Sequence, residues 1–142
     1  MLKEIKTNTQ HYFVDENILK QGEYKEYHEN GELEIHCFYQ NDNRHGEYKS
    51  YYDNGQLNTI TFFINGNRHG ECNYYHPNGQ PWEHSFYLNG KLHGVYSLHT
   101  YIGHIRYATF YYQGINLYVN PHTLTEKDKV YIMMSGRLPP RD

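Results

Sequence analysis

The sequence predicts an all-β chain, an antiparallel meander of hairpins followed by one short C-terminal helix. Three observations carry that expectation. Alanine, the best helix former, occurs once, as Ala108. Tyrosine, which suits a pleated, half-buried surface, occurs 17 times. Glycine recurs every 24 residues in three separate columns: Gly22, Gly46, Gly70 and Gly94; Gly31, Gly55, Gly79 and Gly103; and Gly66, Gly90 and Gly114, with Asp42 in the preceding slot.

Composition bounds the alternatives. A chain of 142 residues is the size of one domain, or of one domain with a tail. Hydrophobic residues make up 37%, which is low, but the net charge of −3 and the many tyrosines pull the chain away from disorder. A pI near 6.4 lacks the basic excess of a general nucleic-acid binder. No run approaches the ~18 apolar residues of a membrane helix. Met1 to Lys6 hold no apolar stretch of the secretory kind, so no signal peptide is expected. Cys37 and Cys72 fall three strand steps apart, at least ~14 Å. That exceeds the ~7 Å a disulfide tolerates. Two free thiols fit a reducing compartment, and the expected location is cytoplasmic.

Residues 1–21 read as an N-terminal cap with half a repeat, because Phe13-Val14 and Asn17 fill the slots of Cys37-Phe38 and Asn41; one strand is expected there. Residues 22–117 hold four repeats, each a hairpin. In the second, residues 46–52 form a strand, Asp53-Asn54-Gly55-Gln56 a turn, and residues 57–63 the return strand, before Asn65-Gly66 turns into the next repeat. Asn-Gly recurs at 30–31, 54–55, 65–66, 78–79 and 89–90, and reads as a type I′ turn with both central residues at positive φ. Eight strands are expected in the four repeats. Further columns keep the register: Phe38, Phe62, Phe86 and Phe110; Tyr27, Tyr51 and Tyr75, ending in His99; and His45, His69 and His93.

These residues resemble the MORN repeat family in its variant form, common in bacteria and large DNA viruses. Gly46-Glu47-Tyr48, Tyr51-Tyr52-Asp53-Asn54-Gly55 and Asn65-Gly66-Asn67-Arg68-His69-Gly70 match the variant's Gly-x-Tyr, Tyr-Tyr-x-Asn-Gly and Asn-Gly-x-x-His-Gly pattern. The fourth repeat departs from it, with Thr100-Tyr101-Ile102-Gly103 in place of the Asn-Gly turn. The resemblance implies an elongated, single-layer, twisted sheet with one groove-like face.

Residues 118–142 form the tail. Val119-Asn120-Pro121 breaks the repeat, Thr125 and Asp128 have capping-box spacing, and Gly136 with Pro139-Pro140 stops a helix expected near 125–135. Val130, Ile132, Met133 and Met134 give it an apolar patch. Its expected task is to cover the C-terminal end of the sheet.

Eleven histidines raise the possibility of a metal centre. His45, His69 and His93 are two strands apart, ~10 Å, too far to share an ion held at ~2.0–2.1 Å. No metal or other cofactor is expected; each histidine reads as support for its turn. Catalysis has no motif behind it: four serines and no Gly-x-Ser-x-Gly elbow. The chain is therefore read as a non-enzyme, a repeat scaffold that binds another protein or its own copy. Antitoxin-like relatives of the variant form have such a binding role. The aromatic columns serve as core, as binding groove, or as both. Trp82, alone of its kind and in a slot that is Glu34, Asn58 and Arg106 elsewhere, is the leading contact residue, with Tyr27, Tyr51 and Tyr75 beside it. Tyr131, Ile132 and Met133 are the expected self-association contacts of a homodimer. The alternative, phospholipid headgroup binding, follows from the family name. It meets an array with six basic against ten acidic residues over 22–117, and membrane binding is not expected.

Overall fold

The computed structural model describes residues 1–140; Arg141 and Asp142, the end of the expected tail, lie outside the described residues. The chain forms one open antiparallel meander of 14 strands and one C-terminal helix. The strands are β1 (Lys3–Lys6), β2 (Gln10–Val14), β3 (Lys20–Tyr27), β4 (Leu33–Gln40), β5 (Asn43–Arg44), β6 (Gly46–Tyr51), β7 (Leu57–Ile64), β8 (Asn67–Arg68), β9 (Gly70–Tyr75), β10 (Pro81–Leu88), β11 (Lys91–Leu92), β12 (Gly94–His99), β13 (Ile105–Tyr112) and β14 (Ile115–Asn116). A 3-10 turn, Pro121–Thr123, leads to α1 (Glu126–Ser135). Eight long strands fill the four repeats, as the sequence predicts. The N-terminal region holds a complete hairpin, β1 with β2, rather than one strand. Its first strand, Lys-Glu-Ile-Lys, carries no glycine or Asn-Gly marker.

The two-residue strands β5, β8 and β11 are the first halves of bent long ones, whereas β14 leads into the C-terminal segment. Tyr39 faces Arg44 while His36 faces Lys49, so the register shifts at His45-Gly46. His45 still donates its backbone N–H to Phe38, at 2.9 Å. This bulge recurs at His69 and His93 and bends each strand once per repeat.

The Asn-Gly turns are of two kinds, which corrects the expectation of one. Asn65-Gly66 (φ 47° and 83°) and Asn89-Gly90 (49° and 81°) are type I′ loops of two residues. At Asn30, Asn54 and Asn78 only the following glycine has positive φ. There Gly31 donates to the His28 carbonyl at 2.9 Å and His28 to Glu32 at 2.8 Å, a type I turn closed by a left-handed residue. Loop length decides between them, two residues against three. The second kind also stitches repeats together. The Asn30, Asn54 and Asn78 side-chain amides donate to the carbonyls of Asp53, Pro77 and Tyr101, each 23 residues on, at 3.0–3.1 Å. On the opposite edge, Gly66, Gly90 and Gly114 donate to the carbonyls of Arg44, Arg68 and Leu92.

A sheet of one layer must bury its own side chains. On one face, the tyrosine face, a ring lies opposite a small residue in three repeats, Tyr24 with Cys37, Tyr48 with Thr61 and Tyr96 with Thr109, and in the third repeat both are small, Cys72 with Ser85. A 24-spaced column of cations lies over the rings. Lys20 sits 5.1–5.3 Å from the centroids of Tyr12, Tyr24 and Tyr39; Arg44 sits over Tyr48 and Phe63; Arg68 sits over Tyr74 and Tyr87. The charge meets the ring faces. Cys37 and Cys72 are buried free thiols beneath them.

The helix matches its predicted span. Thr125 and Asp128 form a reciprocal capping box, and Gly136 closes the C-terminus at φ 69°. Ile132 is fully buried against Phe110 and Val119, with Val95, Leu117 and Leu124 around them. The helix thus covers the face of β13, the last long strand, at the C-terminal end of the sheet, as expected.

Candidate functional site

Opposite the tyrosine face lies a face built on the phenylalanine column. Cross-strand pairs repeat along it: Glu23 with Phe38, Glu47 with Phe62, Glu71 with Phe86, and Val95 with Phe110. Each pair is a rung, and successive rungs are two strands apart. Beside the rungs runs a row paired as Lys25 with His36, Lys49 with Ile60, Asn73 with His84, and Ser97 with Ala108. The first three phenylalanines are 37%, 44% and 38% exposed; Phe110, under α1, is 2% exposed. Glutamate gives way to valine on the one rung the helix covers. A carboxylate desolvated there without a partner would be costly.

The carboxylates are held by neighbours on the same face. His36 Nε2 lies 2.9 Å and Lys25 Nζ 3.2 Å from Glu23, and Lys49 Nζ lies 2.9 Å from Glu47. The His36 hydrogen bond holds the Glu23 carboxyl below the usual range against the opposing effect of burial, and Lys25 adds to it. Among the described residues Glu71 pairs with His84 alone, at 3.5 Å, and Asn73 stands where the earlier rungs have lysine.

Two adjoining grooves, which share Asn73, mark this side of the sheet. One, about 380 Å³, is lined by Glu47, Ile60, Phe62, His69 and Glu71. The other, about 390 Å³, is lined by Tyr75, His84, Val95, Ser97, His99 and His122, the last from the 3-10 turn. In the second, His84 Nδ1 lies 2.6 Å from Asn73 Oδ1, and Ser97 Oγ lies 3.0 Å from His99 Nε2. Among the described residues no group of three or more histidine, cysteine, aspartate or glutamate side chains could hold a metal ion. His45 and His93 accept the backbone N–H of Asn65 and Gln113 at 3.2 and 3.1 Å, bracing the next turn. Burial holds the His93 imidazole below its ordinary pKa, which suits that acceptor role.

The predicted contact residues do not converge. Trp82 is 46% exposed and stacks on His76, with Tyr101 edge-on to the same imidazole and Tyr74 beside it. Tyr75 lines the second groove, and Tyr51 lines another with His28, Tyr52 and Asn58. Tyr27 ends β3, half-buried, and donates its backbone N–H to Thr9. Tyr131 and Met133 are exposed on α1, whereas Ile132 is buried within the chain and unavailable as a surface contact. The glutamate column at 23, 47 and 71 escaped the reading, although it keeps the 24-residue period; so did the cation column at 20, 44 and 68.

Residues 20–41, 44–65 and 68–89 match the family described as MORN repeat variant. A comparison with curated proteins finds no match. Among solved structures, a chain of the Glycosylation Associate Protein (Gap123) complex from Streptococcus agalactiae is similar at 16% identity and a TM-score of 0.44. The match covers 80% of this chain and 22% of that one, so this chain spans about a fifth of its length.

Proposed function

Residues 20–89 are MORN variant repeats, and from that premise we propose a non-catalytic scaffold that binds protein through the phenylalanine face. The reading keeps residues 1–21 as the N-terminal cap, 22–117 as the array and 118–142 as the helical tail. One observation carries it: of four equivalent phenylalanines, the chain covers Phe110 with its own helix and leaves Phe38, Phe62 and Phe86 exposed. A contiguous aromatic column of this kind marks an interaction surface. Without a partner, a second copy is the available cover, and the exposed side of α1, with Tyr131 and Met133, adds to a homodimer. Lipid headgroup binding gains no support, since Arg44 and Arg68 lie over rings on the opposite face.

Light scattering over rising protein concentration tests the proposal. The full chain should associate, and F38S/F62S/F86S should remain monomeric with an unchanged strand circular dichroism spectrum. A wild-type chain that stays monomeric at millimolar concentration, and a variant indistinguishable from it, would remove self-association through this face.

A further inference from the structure

Resting on that reading of the phenylalanine face, we infer that its partner is a cationic amphipathic α-helix of another protein, laid across the strands with an apolar residue every seventh position. Spacing is the first ground. Phe38, Phe62 and Phe86 lie on β4, β7 and β10, with one strand between each pair. Strands are ~4.8 Å apart, so the rungs repeat every ~9.6 Å. Seven helical residues rise ~10.5 Å. A heptad-spaced helix therefore stays within about 3 Å of register over three rungs. An extended segment, rising ~3.3 Å per residue, would need a residue every third position and would turn alternate ones away from the sheet.

The chain shows how the face is covered. On the fourth rung, α1 places Ile132 on Phe110, one apolar helical side chain to one phenylalanine. There the paired residue is Val95, and the helical residue seated on it is apolar; on the open rungs the paired residue is Glu23, Glu47 or Glu71. A helix covering those rungs takes water from the carboxylates; Glu23 and Glu47 keep their own lysines, and lysine or arginine beside the helix's apolar residue adds the counter-charge that the third rung needs. The demand is strongest at Glu71, where no lysine takes the place of Lys25 and Lys49. The two grooves that share Asn73 continue the same side towards His122 of the C-terminal segment, so the bound helix would end against the chain's own 3-10 turn.

The probe is a synthetic helical peptide of about three heptads, with leucine every seventh residue and lysines flanking each leucine. Fluorescence anisotropy is measured with the full chain. Binding should weaken by about tenfold or more when the leucines are moved off the seven-residue spacing, or when glutamates replace the lysines. Glu47→Lys with Glu71→Lys should reverse the preference, so that the glutamate peptide binds better. Phe62→Ser alone, at an exposed position, should weaken the lysine peptide while leaving circular dichroism unchanged. Equal binding of all peptides, or preference of the wild-type chain for the glutamate peptide, would overturn the helix. So would no binding by any peptide while F38S/F62S/F86S still abolishes self-association, and in that case the scaffold reading stands. If the triple variant alters neither peptide binding nor self-association, both readings fall.

Discussion

Ile18 is a β-branched residue at φ 65°, in the left-handed region that L side chains avoid. By the repeat it stands in the column of Asp42 and Gly66, but its turn is built like those of Gly31, Gly55 and Gly79: Ile18 donates to the Asp15 carbonyl and Asp15 to that of Leu19, as Gly31 and His28 do in theirs. The side chain is 79% exposed, so its removal loses little packing. Ile18→Gly should raise stability by about 0.5–1 kcal/mol, after the added freedom of the unfolded chain is counted; urea unfolding measures it. Cys37 shows the opposite case, a residue made inert by its site. Burial pushes its thiol up to about 11, outweighing the nearby Arg44 and Lys20. The folded chain therefore holds that proton above the ordinary thiol range. Its contribution to stability is complete below the unfolded thiol pKa of about 9 and fades as pH rises through about 11. At pH 8, alkylation of Cys37 should be slow in the native chain and fast in denaturant, as mass spectrometry of the labelled peptide would show.

Among the elements, α1 depends on its ends. The Thr125–Asp128 box satisfies the first turn, with the Asp128 backbone N–H donating to Thr125 Oγ1 at 3.1 Å and the Thr125 backbone N–H donating to Asp128 Oδ2 at 2.8 Å. Ten residues with one buried side chain make a marginal helix on propensity alone, so the caps and the Ile132 contact hold it. Gly136 ends it in a left-handed conformation, and a Cβ there would meet the Tyr112 ring at 2.6 Å. Gly136→Ala should therefore cost about 1–2 kcal/mol locally, seen as faster amide exchange across α1 with the repeats unaffected. The turns show element-level logic of a different kind. Thr100-Tyr101-Ile102-Gly103 keeps the hydrogen bonds of the other three-residue loops, Gly103 to Thr100 at 2.9 Å and Thr100 to His104 at 2.7 Å. Backbone geometry persists there although the asparagine side chain is gone, because the left-handed glycine remains.

The whole molecule is quasi-one-dimensional, each repeat in contact with its neighbours. Such an array ends in two sheet edges and leaves both faces to be dealt with. The tyrosine face is self-covering, through rings, small residues and the Lys20, Arg44 and Arg68 column. Among the described residues the phenylalanine face is covered where the tail folds back, over Phe110. Deleting residues 121–142 should bare Phe110 as a fourth exposed phenylalanine, lower solubility and increase dye binding by hydrophobic surface; a truncated chain as soluble as the parent would contradict this. The helix would then be an independent tail. No helix among the described residues is long and apolar enough to cross a membrane.

The 24-residue glycine and aromatic columns determine, with no coordinates, the all-β class, the hairpin repeat and the strand count of the array. Turn residues and a period of two act over a few positions, so a linear reading reaches them. The capping box and Gly136 stop of α1 were equally legible, because helix ends are local. The first strand was not, since Lys3–Lys6 is a strand only by pairing with β2. Two kinds of turn under one Asn-Gly motif were not, since the difference lies in how many residues the flanking ladders leave unpaired. The candidate face was half legible: Phe38, Phe62 and Phe86 stand in a visible column, but which face they share, and with which glutamates, depends on strand register across the sheet. Only the tertiary structure decided that α1 seats Ile132 on Phe110. That contact joins residues 22 apart through packing, and packing leaves no period in a sequence.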